Sequence, residues 1–224
     1  VRLLEVIVTT VDEALTAAAG GAGRVELVAD RDCGGLTPDV STVKAVLEAV
    51  AIPVHVMARP QARTFTYRGA DREALLRDLS RIAALKPATI VTGALDDRRC
   101  IDVPLLRDIL DAAGGLPITF HRAFDQLADV EAGFDVLAEF GQIARVLTSG
   151  GAADAWGGRA VLAGLVAKRS GPIVVPAAGI HEGNVRDLLA ATQAREIHVG
   201  NGARIGGRID RERVASLKRA MSAL

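Results

Sequence analysis

The sequence predicts an α/β fold, a single-domain (β/α)8 or TIM barrel over residues 1–224, and three observations lead there. Short Val- and Ile-rich runs alternate with amphipathic stretches along the chain, the pattern of a parallel sheet with helices outside it. The apolar runs number eight. The chain has 224 residues, half of them hydrophobic and 24% charged, close to the roughly 250 residues usual for this barrel, and no linker or low-complexity segment divides it. A doubly wound open sheet is the competing arrangement, because periodicity does not report closure of a sheet.

In chain order the strand candidates are LLEVIVT (3–9), RVELV (24–28), PVHVMAR (53–59), ATIVTGA (88–94), PITFHR (117–122), RVLTS (145–149), PIVVPAA (172–178) and EIHVG (196–200). Helical stretches separate them. In DREALLRDLSRIAAL (71–85), Leu75, Leu76, Leu79, Ile82 and Ala83 recur at the spacing of one buried face, and Val214, Leu217, Met221 and Leu224 do the same in the last stretch, 210–224. In GGLTPD (34–39), Thr37 is expected to cap a helix whose first residue is Pro38, and Gly114 and Gly115 read as a helix stop.

Alternate side chains of a strand face opposite sides. If Leu4, Val6, Val25, Leu27, Val54, Val56, Ile118, Phe120, Ile197 and Val199 meet the helices, the other parity turns Glu5, Arg24, Glu26, His55, Met57, Arg59, Thr119, His121, Glu196 and His198 into the barrel. Three of the four histidines are among them. Such groups can be structural, each charge paired to another. A barrel interior is ordinarily packed with Val, Ile and Leu, however, so a convergent ionisable set points to a site.

Active sites of this fold lie at the carboxyl ends of the strands. The loops there are TSGGAA after strand six, AAGIHEGN after strand seven and GNGARIGG after strand eight. Their glycines let backbone amides approach an anion. The expected phosphate cradle is Gly179, Gly200, Asn201 and Gly202, with Ser149, Gly150 and Gly151 beside them. Glycines also end strands for conformational reasons alone. The long segment RPQARTFTYRG (59–69) carries Phe65 and Tyr67; it reads either as a lid or as a loop packing its own aromatics on the rim.

Charge balance excludes one class of partner. Lysine plus arginine equals aspartate plus glutamate at 27 each, which leaves no basic excess for nucleic acid or an anionic membrane. Cys33 and Cys100 form neither a CxxC pair nor a disulfide framework, which suits a reducing compartment. The opening VRLLEVIVTT enters a strand pattern rather than the apolar segment and cleavage site of a signal peptide. The expectation is a soluble cytoplasmic protein binding a small molecule or metal ion, with a homodimer as the default oligomer.

LEV (4–6), RVEL (24–27), GGLTP (34–38), PVHVM with Arg59 and Pro60, TFHRAFD (119–125), LTSGG (147–151) and EIH (196–198) occur in this order, and in them the chain resembles the CutC family, named for copper homeostasis. The resemblance runs along nearly the whole chain. It implies a TIM barrel, a role in copper homeostasis with copper as the bound ion, and a shared polar cluster of Glu5, Glu26, His55, Arg59, His121, Arg122, Asp125 and His198 at the barrel mouth. The chain departs from the family where thiols matter: Ile7 and Val28 stand where members often carry Cys, which puts a thiolate site for soft Cu(I) in doubt. Gln61 and Thr64 likewise replace a basic and an acidic residue of the family's third loop.

Three functions follow. Copper homeostasis is what the resemblance implies, and His121, His198 and Cys33 are the metal-ligand candidates in this chain. The residues themselves suit an enzyme acting on a small anionic or phosphorylated metabolite: Arg59 and Arg122 would hold the anion, Glu5 or Glu26 would abstract a proton and His121 would donate one. A His/Glu site for a borderline metal such as zinc is the third.

Overall fold

A computed structural model describes residues 2–222. Eight parallel strands, β1 Leu3–Val8, β2 Arg24–Leu27, β3 Val54–Met57, β4 Thr89–Thr92, β5 Ile118–Phe120, β6 Ile143–Thr148, β7 Ile173–Pro176 and β8 Glu196–Val199, alternate with eight α-helices. The helices are α1 Val11–Ala19, α2 Val40–Ala49, α3 Gly69–Ala83, α4 Val103–Ala112, α5 Val130–Ala138, α6 Arg159–Ala167, α7 Val185–Thr192 and α8 Arg211–Ser222. The ladder runs β7-β6-β5-β4-β3-β2-β1-β8, with β7 packed beside β8 at the seam. The sheet is therefore a near-closed barrel, and the open-sheet alternative falls.

The sheet divides the apolar residues in two. Leu4, Val6, Val25, Leu27, Val54 and Val56 pack outward against helix residues such as Leu75, Leu79, Val214 and Leu217. A separate inner cluster holds Val28, Met57, Val91, Leu147, Val175 and Ala177, with Ile7 against it. Of the helical face expected over 210–224, Val214, Leu217 and Met221 are buried; Leu224 lies outside the described residues. Closure of the helical ring needs a glycine: a Cβ at Gly20 would stand 2.6 Å from Val214 Cβ, so α1 could not approach α8.

Local signals were partly overruled. Asp39, not Thr37, caps α2, accepting from the Thr42 amide at 2.8 Å. The Thr37 hydroxyl instead accepts from the Arg59 amide at 2.9 Å, tying the loop after β2 to the end of β3. The glycine stop at 114–115 takes the left-handed conformation, with φ of 60° and 86°. GNGARIGG is not simply a loop, since β9 Arg204–Ile205 and β10 Arg208–Ile209 pair across Gly206 and Gly207. Both glycines have positive φ, as a two-residue hairpin turn requires. Arg204 anchors this hairpin to the mouth by pairing with Glu13 and donating to the Ile7 carbonyl at 3.0 Å. No helix of the described residues is long and apolar enough to cross a membrane.

Candidate active site

The carboxyl ends of the strands surround a cavity of about 750 Å3. Glu26 reaches it from β2 and His198 from β8, while His121 and Arg122 follow β5 and Arg59 follows β3. Ile7, Val28, Met57 and Leu147 form its apolar wall. Asp125, Gly179, Gly200, Asn201, Gly202 and Cys33 also line it. Glu5, His55, Ser149, Gly150 and Gly151 do not.

Glu5 lies beneath the cavity as the hub of an ionic network. Its carboxylate accepts from Arg24 Nε and faces His198 Nδ1 at 2.7 Å. His55 Nδ1 stands 3.1 Å from Glu5 Oε2, but off the line of a well-formed hydrogen bond, so it is a close contact and no more. Burial alone would raise the Glu5 pKa; the Arg24 guanidinium, then the two histidines, hold it well below the usual carboxylate range. Glu5 is thus a fixed anion and not a base, which narrows the expected choice between Glu5 and Glu26. Burial pushes the His55 pKa down, against the pull of the Glu5 charge. Arg24 also donates to Glu196 at 2.8 Å, and Arg145 on β6 donates to the same carboxylate at 2.8 Å. Arg145 escaped the sequence reading because its strand gave no polar alternation at that point.

Glu26 differs. Oε2 lies 3.7 Å from His198 Nε2, and the buried Oε1 has no partner among the described residues. Burial, reinforced by the Glu5 charge and opposed by His198 and Arg24, lifts its pKa to about 7. His198 goes up as well: burial opposes its charged form, but the Glu26 charge and then Glu5 outweigh it. The result is a Glu5, His198, Glu26 array in which a proton can reside on either of the upper two groups.

His121 faces the same cavity as a neutral imidazole. Its Nδ1 accepts from the Ala123 amide at 3.3 Å, which assigns the ring proton to Nε2, and that atom is buried without a partner among the described residues. Burial, with Arg59 nearby, depresses its pKa to about 3. An imidazolium donor is therefore replaced by a neutral N–H donor. A Cβ at Gly93 would stand 2.8 Å from His121 Nδ1, so the residue that follows β4 must be glycine for the ring to fit.

The segment 59–69 packs down on the rim. Phe65 meets the His121 ring edge-on at 4.8 Å between centroids, and the Arg59 guanidinium lies 4.6 Å above Phe65. Arg59 donates to the carbonyls of Cys33, Gly35 and Ala62 at 3.0, 3.3 and 3.0 Å, leaving Nε without a partner. Most of its donors serve loops rather than a ligand. Tyr67 is buried, and Gln61 accepts from the Arg63 and Thr64 amides, closing a turn of its own.

The three glycine loops part company. The loop after β6 already holds an anion: Asp125 Oδ1 accepts from Thr148 Oγ1 at 2.6 Å and from the Ser149 and Gly151 amides at 2.8 and 3.2 Å. Arg122 donates to Asp125 Oδ2 at 2.8 Å and to Ser149 Oγ at 3.3 Å. Ser149, Gly150 and Gly151 thus belong to an internal nest, filled by the protein's own carboxylate. The loops after β7 and β8 face the cavity instead, and their backbones touch: a Cβ at Gly202 would stand 2.2 Å from the Ile180 carbonyl.

Among the described residues, the one group able to converge on a metal ion is Glu5, Glu26 and His198. Cys33, His121 and His198 are not brought together in that way. Cys33 Sγ donates to the Asp30 carbonyl at 3.1 Å, and burial, then Asp30, keeps the thiol protonated. Two carboxylates and an imidazole are hard-to-borderline donors, and the inner face offers no thiolate, so the residues do not fit Cu(I). Arg24 already occupies Glu5, which weakens the triad for other cations too.

Residues 2–203 match the model of the CutC family. The chain belongs to the CutC family. The crystal structure of CutC from Streptococcus agalactiae superposes with a TM-score of 0.82 at 25% identity, covering 89% of this chain and 98% of that one. Phosphoribosyl anthranilate isomerase from Thermotoga maritima gives 0.66 at 11% identity with all of both chains covered. Thiamine phosphate pyrophosphorylase from Pyrococcus furiosus gives 0.67 at 15% identity, covering 99% of this chain and 96% of that one. The last two are likenesses of fold, and they agree with the CutC match on a TIM-type barrel.

Proposed function

We propose that this CutC-family chain is an enzyme that moves a proton on a small organic anion, with Glu26 as the base. The observation that carries the reading is the pairing, across one cavity, of a buried Glu26 Oε1 and a buried His121 Nε2, each without a partner among the described residues. Buried polar atoms left unmatched cost about 1–3 kcal/mol each, so a ligand supplying a proton to one and an acceptor to the other is what the pair suits. A carbon acid beside a carbonyl has both. Its C–H bond breaks toward Glu26 Oε1, the electron pair moves onto the carbonyl oxygen, and His121 Nε2–H hydrogen-bonds that oxygen without giving up its proton. Glu26 then returns the proton to carbon or passes it to His198. A base lifted to about 7 is matched to neutral pH, and of the arginines on the walls (31, 59, 63 and 122) the buried Arg59 has no carboxylate partner among the described residues, which suits an anionic substrate.

The Streptococcus agalactiae protein carries a provisional copper-homeostasis name. For this chain copper is the weaker reading, on the donor chemistry given above. Small phosphorylated and unphosphorylated ketoses, aldoses and 2-oxo acids, incubated in D2O and followed by proton NMR, test the proposal. Exchange next to the carbonyl in at least one compound, slowed roughly 100-fold or more by Glu26→Gln, is expected. No exchange above buffer, or a Glu26→Gln rate equal to wild type, would overturn it.

A further inference from the structure

Resting on that reading, we infer that the substrate is a phosphate monoester whose phosphate sits at the joined loops after β7 and β8, between the amides of residues 179–180 and 201–202 and the guanidinium of Arg31. Three observations converge there. Among the described residues the amides of Gly179, Ile180, Asn201 and Gly202 make no hydrogen bond, and all four residues line the cavity. The Gly202 backbone lies so close to the Ile180 carbonyl that no side chain fits between them, which draws the two amide pairs into one concave surface. Arg31 is steered to this surface from the loop after β2, its Nη1 donating to Asn201 Oδ1 at 2.6 Å while Nη2 meets the exposed Asp32 at 2.8 Å.

Of the four arginines that line the cavity, Arg31, Arg63 and Arg122 each pair with a carboxylate, Asp32, Asp71 and Asp125, and Arg59 has no carboxylate partner among the described residues. Arg59, 5% exposed, keeps one N–H unpartnered. The amides set the class of anion: a phosphate monoester's three terminal oxygens can accept from several of them together, which a carboxylate's two oxygens do less well. The rival cradle after β6 is closed to a ligand, because Asp125 fills it. With the phosphate at this end, Glu26 and His121 flank the other end of a short carbon skeleton, and Ile7, Val28 and Met57 cover its apolar side.

Titration of the full chain with inorganic phosphate at low ionic strength, read by calorimetry and phosphorus NMR line width, tests the site. Saturable binding is expected, weakened at least 10-fold in Arg31→Met and lost in Gly200→Asp. A Cβ at Gly200 meets only Ile7, at 3.8 Å, so Gly200→Ala serves as the folding control and retains binding. Ser149→Ala, in the nest that Asp125 already fills, binds phosphate as wild type does. Absence of binding to the wild type, equal binding by Arg31→Met and Gly200→Asp, or acetate competing as well as phosphate would overturn the inference. The two proposals fail separately. Exchange confined to unphosphorylated compounds and insensitive to phosphate removes the phosphate site and leaves the proton chemistry; phosphate binding without any exchange does the reverse.

Discussion

Glu5 and Glu26 stand on neighbouring strands, and each is 1% exposed, yet their chemistry is opposite. Glu5 meets Arg24, His198 and His55, and its charge is fixed. Glu26, nearer the carboxyl end of the barrel, lines the cavity and faces one histidine at 3.7 Å, and its charge is costly to hold. Burial is the same for both. What separates a structural carboxylate from a reactive one in this barrel is therefore the number of partners, and β2 supplies both Arg24, which fixes Glu5, and Glu26, which is left unsatisfied.

The largest test of that contrast removes the fixed charge. Glu5→Gln leaves Arg24 and its neighbours buried without their main counter-charge and should destabilise the fold by about 3–5 kcal/mol, measured by urea unfolding. Glu26→Gln, by contrast, should cost little or stabilise. Equal losses would end the distinction. Next in size, Asp125→Ala empties the internal nest after β6, stranding the Thr148 hydroxyl and the Ser149 and Gly151 amides, and should cost about 2 kcal/mol by the same measurement.

Acid and base dependence sharpens the comparison. Glu26 titrates near 7 in the fold against 4.5 as a free side chain, so between those values the folded state binds the extra proton. The stability of wild type relative to Glu26→Gln should then fall as pH rises from about 4.5 to about 7. His121, at about 3 against 6.5, has the opposite sign: the unfolded chain binds the proton, and wild type should gain relative to His121→Asn as pH rises from about 3 to about 6.5. Thermal midpoints of the three proteins across pH 3–8 read both slopes, and slopes of the same sign would contradict the assignment. The smallest effect is expected at Cys33→Ser, within about 0.5 kcal/mol of wild type and with Cu(I) binding no weaker; a loss of tight copper binding would return the thiol to the site.

Much of the architecture was legible because a barrel repeats one pattern. The period-two alternation separated Val25 and Leu27 from Arg24 and Glu26 without coordinates, and the two apolar clusters divide along it. Caps were less legible: Thr37 and Asp39 are both competent, and Asp39 prevailed because Thr37 was taken by the Arg59 amide. The loops were the least legible. Ser149, Gly150 and Gly151 resemble an anion cradle as a string, and only the position of Asp125, more than 20 residues earlier, closes it.

By itself the sequence determined which side chains enter the barrel, because strand parity is a local property of the backbone. Only the tertiary structure decided what each of them does there. Glu5 and Glu26 carry the same functional group, and their pKa values diverge through distances to Arg24 and the histidines, contributed by strands far apart in the chain. Electrostatic energy depends on those separations and on the removal of water, and neither is set until the barrel closes.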